Sequence, residues 1–183
     1  MSSENLRRYG NKPYSTVLVH GGPGAPGEMR PVAIELSKYV GVIEPLQTAN
    51  SVQGQIEELI QVIEEGSNTP VVFIGWSWGA WLVYLVAAQR PDLIKKLIIV
   101  SSGPFEAKYA EGMMDTRLSR LSDQEKLRAK EIITLLQEGN AGVKDFNEFG
   151  GLMDKADSYN PVPHEDESNV DMSELGTEIY EKV

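Results

Sequence analysis

The sequence predicts an α/β fold, a parallel sheet covered by helices and followed by an all-helical part, and three observations carry that reading. From Ser15 to Ser101 short apolar runs alternate with longer amphipathic ones, the order that a parallel sheet with helical crossovers requires. Val71 to Ile74 is continuously apolar and β-branched or aromatic, and continuous rather than alternating hydrophobicity marks a strand covered on both faces. After Gly103 strand-like runs cease, and what remains reads as helices.

Taken in order, the chain begins with a polar stretch, Met1 to Tyr14, that has no apolar core and shows no element. Four strands follow, Ser15 to His20, Gly41 to Leu46, Pro70 to Gly75 and Leu97 to Ser101, read as about four parallel strands with flanking helices. Between them Glu28 to Tyr39 sets Val32, Leu36 and Tyr39 on one stripe, and Val52 to Glu65 sets Ile56, Leu59, Ile60 and Ile63 on another. Trp78 to Arg90 is apolar nearly all round, which makes it the most buried helix of the set, and Pro91 stops it. In the second part helices are predicted over Asp123 to Glu138, Lys144 to Asp154 and Met172 to the terminus. Ser122 and Glu125 have the spacing of a capping box, and Asn160 to Asn169 reads as a Pro-rich acidic loop. The domain organisation is therefore a core over 1–103 and a helical region over 104–183.

Charge and composition narrow the function. The net charge of -10 is uneven: residues 1–103 hold 9 acidic and 8 basic side chains, and 104–183 hold 18 and 9. Such an acidic field repels phosphate backbones, so no nucleic-acid partner is expected, and solvated helix faces account for the excess. There is no cysteine, which removes disulfides, thiolate metal sites and cysteine nucleophiles. No signal-like segment opens the chain and no apolar run reaches the ~18 residues of a membrane span, so a cytoplasmic protein without membrane contact is expected.

Two motifs carry chemistry. Gly75-Trp76-Ser77-Trp78-Gly79 is a G-x-S-x-G between a buried strand and a buried helix, the setting of a nucleophile elbow. There a serine occupies a strained turn that lifts its Oγ clear of the sheet, and the flanking glycines let strand and helix pass closely. His20-Gly21-Gly22-Pro23-Gly24 directly follows the first predicted strand. A glycine loop leaves backbone N–H groups accessible, and each amide aimed at a developing oxyanion contributes about 3 kcal/mol to acyl transfer. A second donor in such an elbow is the N–H after the nucleophile, here Trp78, at a helix N-terminus that favours negative charge. The loop has neither the Gly-Lys-Ser/Thr of a P-loop nor a G-x-G-x-x-G. Trp76, Trp78 and Trp81 flank the elbow as packing groups, with Trp78 the one placed to line a pocket.

These motifs in this order resemble the α/β-hydrolase superfamily, and HGGPG with a tryptophan after the serine is similar to its proline iminopeptidase branch. The resemblance covers Ser15 to Phe105. It implies an incomplete α/β-hydrolase core followed by a helical cap, Ser77 as nucleophile, and the backbone amides of Gly22 and Trp78 as the oxyanion hole. The implied reaction runs through an acyl-enzyme on an ester or an amino-terminal peptide or amide bond, with a small-molecule ester or peptide-like substrate and neither cofactor nor metal. The family places its acid and base after the cap, in the order Ser, Asp or Glu, His, and this sequence offers two histidines. His20 heads the glycine loop, where the family's histidine is structural. His164 lies near Asp154, Asp157 and Asp166 with no strand end to present it, and is read as a solvated cap residue. Without an evident acid and base the chain is read as a fragment, a truncated product or half of a site completed by another chain. A catalytically inactive binding or interaction module is the alternative. In the family's strand order Leu97 to Ser101 lies at one edge of the sheet, and a bare apolar edge invites self-association.

Overall fold

The computed structural model describes residues 5–22 and 26–160. They form two compact units, 5–103 and 104–160.

The first unit is built on one sheet of five strands: β1 (Leu6–Tyr9), β2 (Tyr14–Val19), β3 (Gly41–Pro45), β4 (Val71–Trp76) and β5 (Ile94–Val100). Their order across the sheet is β1-β3-β2-β4-β5, with β2 to β5 parallel and β1 antiparallel to β3. The polar start therefore hides a fifth strand. β1 reads Leu-Arg-Arg-Tyr at an edge, so it gives each sheet face a single apolar contact, Leu6 to one and Tyr9 to the other, and no run betrays it. Its anchor is polar: the Tyr9 hydroxyl donates to Glu44 Oε2 at 2.6 Å, and Glu44 is fully buried in β3. Burial raises the Glu44 pKa, and burial together with this carboxylate pushes Tyr9 up to about 12.

The crossovers explain where the helices go. After β2 the chain steps to β3 through α1 (Arg30–Leu36), then returns past β2 to β4 through α2 (Val52–Gly66), and continues outward to β5 through α3 (Trp78–Gln89). Right-handed crossovers taken in opposite directions put their helices on opposite faces. Accordingly Val17, Val19, Ile43 and Phe73 pack with Ile56, Leu59, Ile63, Leu82, Val83 and Val86 on the face of α2 and α3, while Leu18 and Val42 meet Met29 and Ala33 on the face of α1. Each fully buried aliphatic or aromatic side chain of this kind contributes about 1.5–3 kcal/mol.

The two faces are unequally covered. Phe73 and Val71 are fully buried, whereas Val72 and Ile74 of the same strand are only half-buried, so the continuous apolar run of β4 is not sealed on both sides. The reason is α1, which spans 7 residues rather than the twelve of Glu28 to Tyr39 and turns a different stripe inward. Met29 and Ala33 are buried with Leu36 beside them, while Val32 is 44% and Tyr39 85% exposed. A shift of one residue rotates a helical stripe by about 100°, and the sequence is apolar enough on both stripes to fit either. β5 lies at the sheet edge opposite β1, and Ile98, Ile99 and Val100 stay between 36% and 39% exposed. It begins three residues before the predicted Leu97 because Lys95 and Lys96 point to solvent from that edge.

The second unit contains α4 (Met113–Ser119), α5 (Asp123–Gln137) and α6 (Val143–Asp157) around Leu118, Leu121, Ala129 and Ala156. The capping box is formed, with Ser122 N–H donating to Glu125 Oε2 at 3.0 Å and Glu125 N–H to Ser122 Oγ at 3.4 Å. α4 was not foreseen, and α6 runs three residues past Asp154. Much of the acidity here is paired: Arg128 donates to Asp145 and Glu148 at 2.8 Å, and Arg117 to Asp157 at 2.6 Å. The helix predicted from Met172 lies outside the described residues. Among the described residues no helix is long and apolar enough to cross a membrane.

Close approach of α3 to the sheet sets the tightest packing in the first unit. A Cβ on Gly79 would lie 2.5 Å from the Val19 carbonyl oxygen, and one on Gly75 would lie 2.7 Å from Val83 Cγ2. Gly79→Ala or Gly75→Ala therefore destabilises by about 1–3 kcal/mol or more through overpacking. Gly150→Ala, in α6 with open space around it, instead stabilises by roughly 0.5–1 kcal/mol through helix propensity. Urea midpoints of the variants read the contrast, and equal effects at positions 79 and 150 would refute the close-packing account.

Candidate active site

The parallel strands β2, β3, β4 and β5 all end on the same side of the sheet, and β2 and β4 are neighbours whose following connections leave in opposite directions. Such a switch point opens a crevice at the carboxyl ends of the strands, where α/β sheets bind ligands. The two sequence motifs sit at those two strand ends.

Ser77 is the single residue between β4 and α3. Its backbone lies at φ 52° and ψ -117°, a conformation that costs a non-glycine residue about 1–3 kcal/mol and persists only where the surroundings impose it. They do. Ser77 N–H donates to the Val100 carbonyl at 3.0 Å, Gly79 packs on the carbonyls of Val19 and His20 at the end of β2, and Ala80 N–H closes the first turn on the Ser77 carbonyl at 3.0 Å. The Ser77 side chain makes no capping hydrogen bond to α3. Trp78 N–H is the first of the helix N-terminal amides, which have no intrahelical acceptor.

The glycine loop reaches the elbow at Gly21. A Cβ there would lie 3.3 Å from Ser77 Cβ and 3.0 Å from the Trp76 ring, so a side chain at this position would crowd both. The Gly21 N–H donates to Glu28 Oε2 at 2.9 Å, and Trp76 Nε1 donates to Glu28 Oε1 at 3.1 Å. Gly22 follows at φ 119°, a region closed to most side chains. Pro23 and Gly24, the rest of the predicted loop, lie outside the described residues, as does His164.

His20 is fully buried, and its Nδ1 faces the Gly21 carbonyl at 2.7 Å, so that nitrogen carries the proton. Burial pushes its pKa down to about 4, which keeps the ring neutral near pH 7. The enclosed imidazole braces the loop through Nδ1, while its Nε2 meets no hydrogen-bond partner, Ser77 included, so that a proton taken there would leave a charged ring buried without a partner. Trp78 is also fixed from outside: its Nε1 donates to Gln55 Oε1 at 3.0 Å, Gln55 Nε2 donates to the Ala49 carbonyl at 2.9 Å, and the Trp78 and Trp81 rings meet edge to face at 5.9 Å. Among the described residues no group of three or more His, Cys, Asp or Glu converges as metal ligands would.

Sequence reasoning missed Glu28 and Gln55. Glu28 reads as an ordinary acidic residue at a helix start, and nothing in its spacing points to Gly21 or Trp76. Gln55 left a faint signal, since a polar side chain on the buried side of α2 must find partners.

A family model described as the α/β hydrolase fold matches residues 44–132. Among solved structures the chain is similar to VinJ, at TM-score 0.62 and 24% identity over 82% of this chain and 55% of that one. It is also similar to a meta-cleavage product hydrolase from Pseudomonas fluorescens, at TM-score 0.52 and 17% identity over 86% and 65% of the two chains. A lipase-esterase related protein from Clostridium acetobutylicum gives TM-score 0.50 and 20% identity over 67% and 56%. The chain thus spans between 55% and 65% of the length of these structures. Identities this low establish the fold alone: the sheet and its helices are those of part of an α/β-hydrolase core. Comparison with curated proteins finds no match.

The buried state of His20 has a pH signature. Its folded pKa lies below the ordinary 6.5, so the unfolded chain binds the proton more readily. The stability that the neutral ring confers is complete above about pH 6.5 and is lost as pH falls toward 4, by about 3 kcal/mol in all. His20→Asn removes that dependence, so the stability gap between parent and variant narrows by this amount between pH 7 and 4 in urea titrations. A constant gap would show that the ring is not held neutral.

Proposed function

We propose that the chain carries the nucleophilic half of a serine hydrolase site, in which Ser77 attacks the carbonyl of an ester or of an amino-terminal peptide or amide bond. The observation that carries this reading is the Ser77 backbone, φ 52° and ψ -117°, held at a strand-to-helix bend with Gly21 against it. A serine that served only to cap α3 would adopt extended geometry and accept from the helix N–H groups. Attack would give an acyl-enzyme, with the leaving group expelled and the acyl group then released to water. Charge gathering on the carbonyl oxygen would be met by the amides of Trp78 and Gly22. The fold shared with a meta-cleavage product hydrolase and a lipase-esterase related protein supports hydrolysis as the reaction class. An aminopeptidase of the iminopeptidase type is the narrower form of the proposal, supported by the HGGPG loop.

His20 is not the base in this scheme, because its enclosed Nε2 meets no hydrogen-bond partner, Ser77 included, and burial opposes the charged ring that taking a proton would leave. That observation also favours the rival reading, a binding module on a hydrolase scaffold. In the enzyme reading, the proton of Ser77 goes to a group beyond the described residues. Without such a group, an oxyanion hole with binding alone retains about 10³-fold acceleration over water, far short of a working hydrolase.

Incubation of the full chain with a fluorophosphonate, followed by intact mass spectrometry, is expected to give one phosphonyl adduct that Ser77→Ala abolishes. No adduct on the parent, or an adduct that survives the substitution, overturns the enzyme reading and leaves the binding module.

A further inference from the structure

We propose that Glu28 is a positioning residue: its carboxylate clamps the glycine loop onto the elbow and thereby selects which loop amide remains available to an acyl oxygen at Ser77. The inference rests on the reading of Ser77 given above and adds a residue which neither motif contains.

The clamp is made from three segments distant in sequence. Gly21 follows β2, Glu28 precedes α1, and Trp76 ends β4 immediately before Ser77. One carboxylate spans the first and third, accepting Gly21 N–H on Oε2 at 2.9 Å and Trp76 Nε1–H on Oε1 at 3.1 Å. Both are charge-assisted hydrogen bonds, roughly twice as strong as neutral ones. The clamp closes the neck of the loop, since Gly21 and Glu28 are only seven residues apart. It also holds Gly21 beside Ser77: a Cβ at position 21 would lie 2.6 Å from Glu28 Oε2 and 3.3 Å from Ser77 Cβ.

Two consequences follow from these distances. The Gly21 amide is spent on Glu28 and cannot serve as a donor in the oxyanion hole, so the loop's contribution falls to the next amide, Gly22. Consecutive glycines have the widest conformational freedom of any residues, and fixing a backbone residue costs about 1–2 kcal/mol in entropy. Something must hold this loop in one shape before substrate arrives, because donors catalyse only when aimed in advance. Glu28 does so by tying the loop to the one strand end that also fixes Ser77.

The test uses the full chain and four proteins: parent, Glu28→Gln, Glu28→Ala and Trp76→Phe. Glutamine keeps the size but presents an NH₂ to one of the two donors, while Trp76→Phe removes one donor and leaves the carboxylate intact. Three readouts are taken: the phosphonylation rate constant and the half-saturating concentration for a fluorophosphonate at Ser77, and amide hydrogen exchange at Gly21 and Gly22 by NMR. Glu28→Gln and Glu28→Ala are expected to slow phosphonylation by about 10- to 100-fold, to change half-saturation by less than about 3-fold, and to speed Gly21 exchange by at least about 10-fold. Trp76→Phe should give a smaller change of the same sign. A folded Glu28 variant that reacts at the parental rate, or that keeps parental Gly21 exchange, overturns the clamp. Should Glu28 variants fail to fold, Trp76→Phe decides by the same two criteria. A parent protein that is never phosphonylated removes the reading of Ser77, and in that case unchanged Gly21 exchange in the Glu28 variants overturns the clamp as well, whereas faster exchange supports it.

Discussion

The constraint on which the rest of this structure depends is the contact between the first turn of α3 and the strands beneath it. Gly79 lies on the carbonyls of Val19 and His20, and Gly75 lies under Gly79 and Val83. No side chain fits at either place, and the chain between them must therefore bend within one residue. That residue is Ser77, driven to positive φ by the packing around it. The same contact brings the carboxyl ends of β2 and β4 together, so the glycine loop and the elbow become neighbours although more than fifty residues separate them in sequence. Backbone strain at Ser77 is thus a product of core packing, offset by the apolar burial on the α2 and α3 face.

How much of this was legible depended on whether a feature reported itself through one local pattern. α2 shows its stripe of Ile56, Leu59 and Ile63 because burial on one side imposes a helical period, and α3 shows itself by an apolar run too long for a strand. G-x-S-x-G and the glycine loop were legible for the same reason, since close backbone approach leaves glycine as the only residue that fits. α1 misled because two adjacent stripes, one through Val32 and one through Met29 and Ala33, are both apolar, and tertiary packing chose between them. β1 was invisible because a four-residue edge strand needs only one apolar contact per face and takes its anchorage from the hydrogen bond of Tyr9 to Glu44.

The candidate site divides along the same line. Ser77 could be found because its neighbours in sequence are also its neighbours in space. Glu28 could not, since its partners Gly21 and Trp76 are brought to it by the sheet, and a lone glutamate at a helix start has no distinguishing context. Gln55 and its bonds to Trp78 and Ala49 fall between these cases. Long-range polar contacts of this kind have no period, and periodicity is the main thing that a single sequence expresses.

The uneven cover of the sheet has a further effect, on how firmly each part of the candidate site is backed. Two long helices shield one face and a helix of seven residues shields the other, and segments with few apolar neighbours open locally at lower free energy than those in the core. The two arms of the candidate site are therefore unequally backed: the bend at Ser77 leads into α3 on the well-covered face, whereas Glu28 leads into the short α1 on the half-covered one.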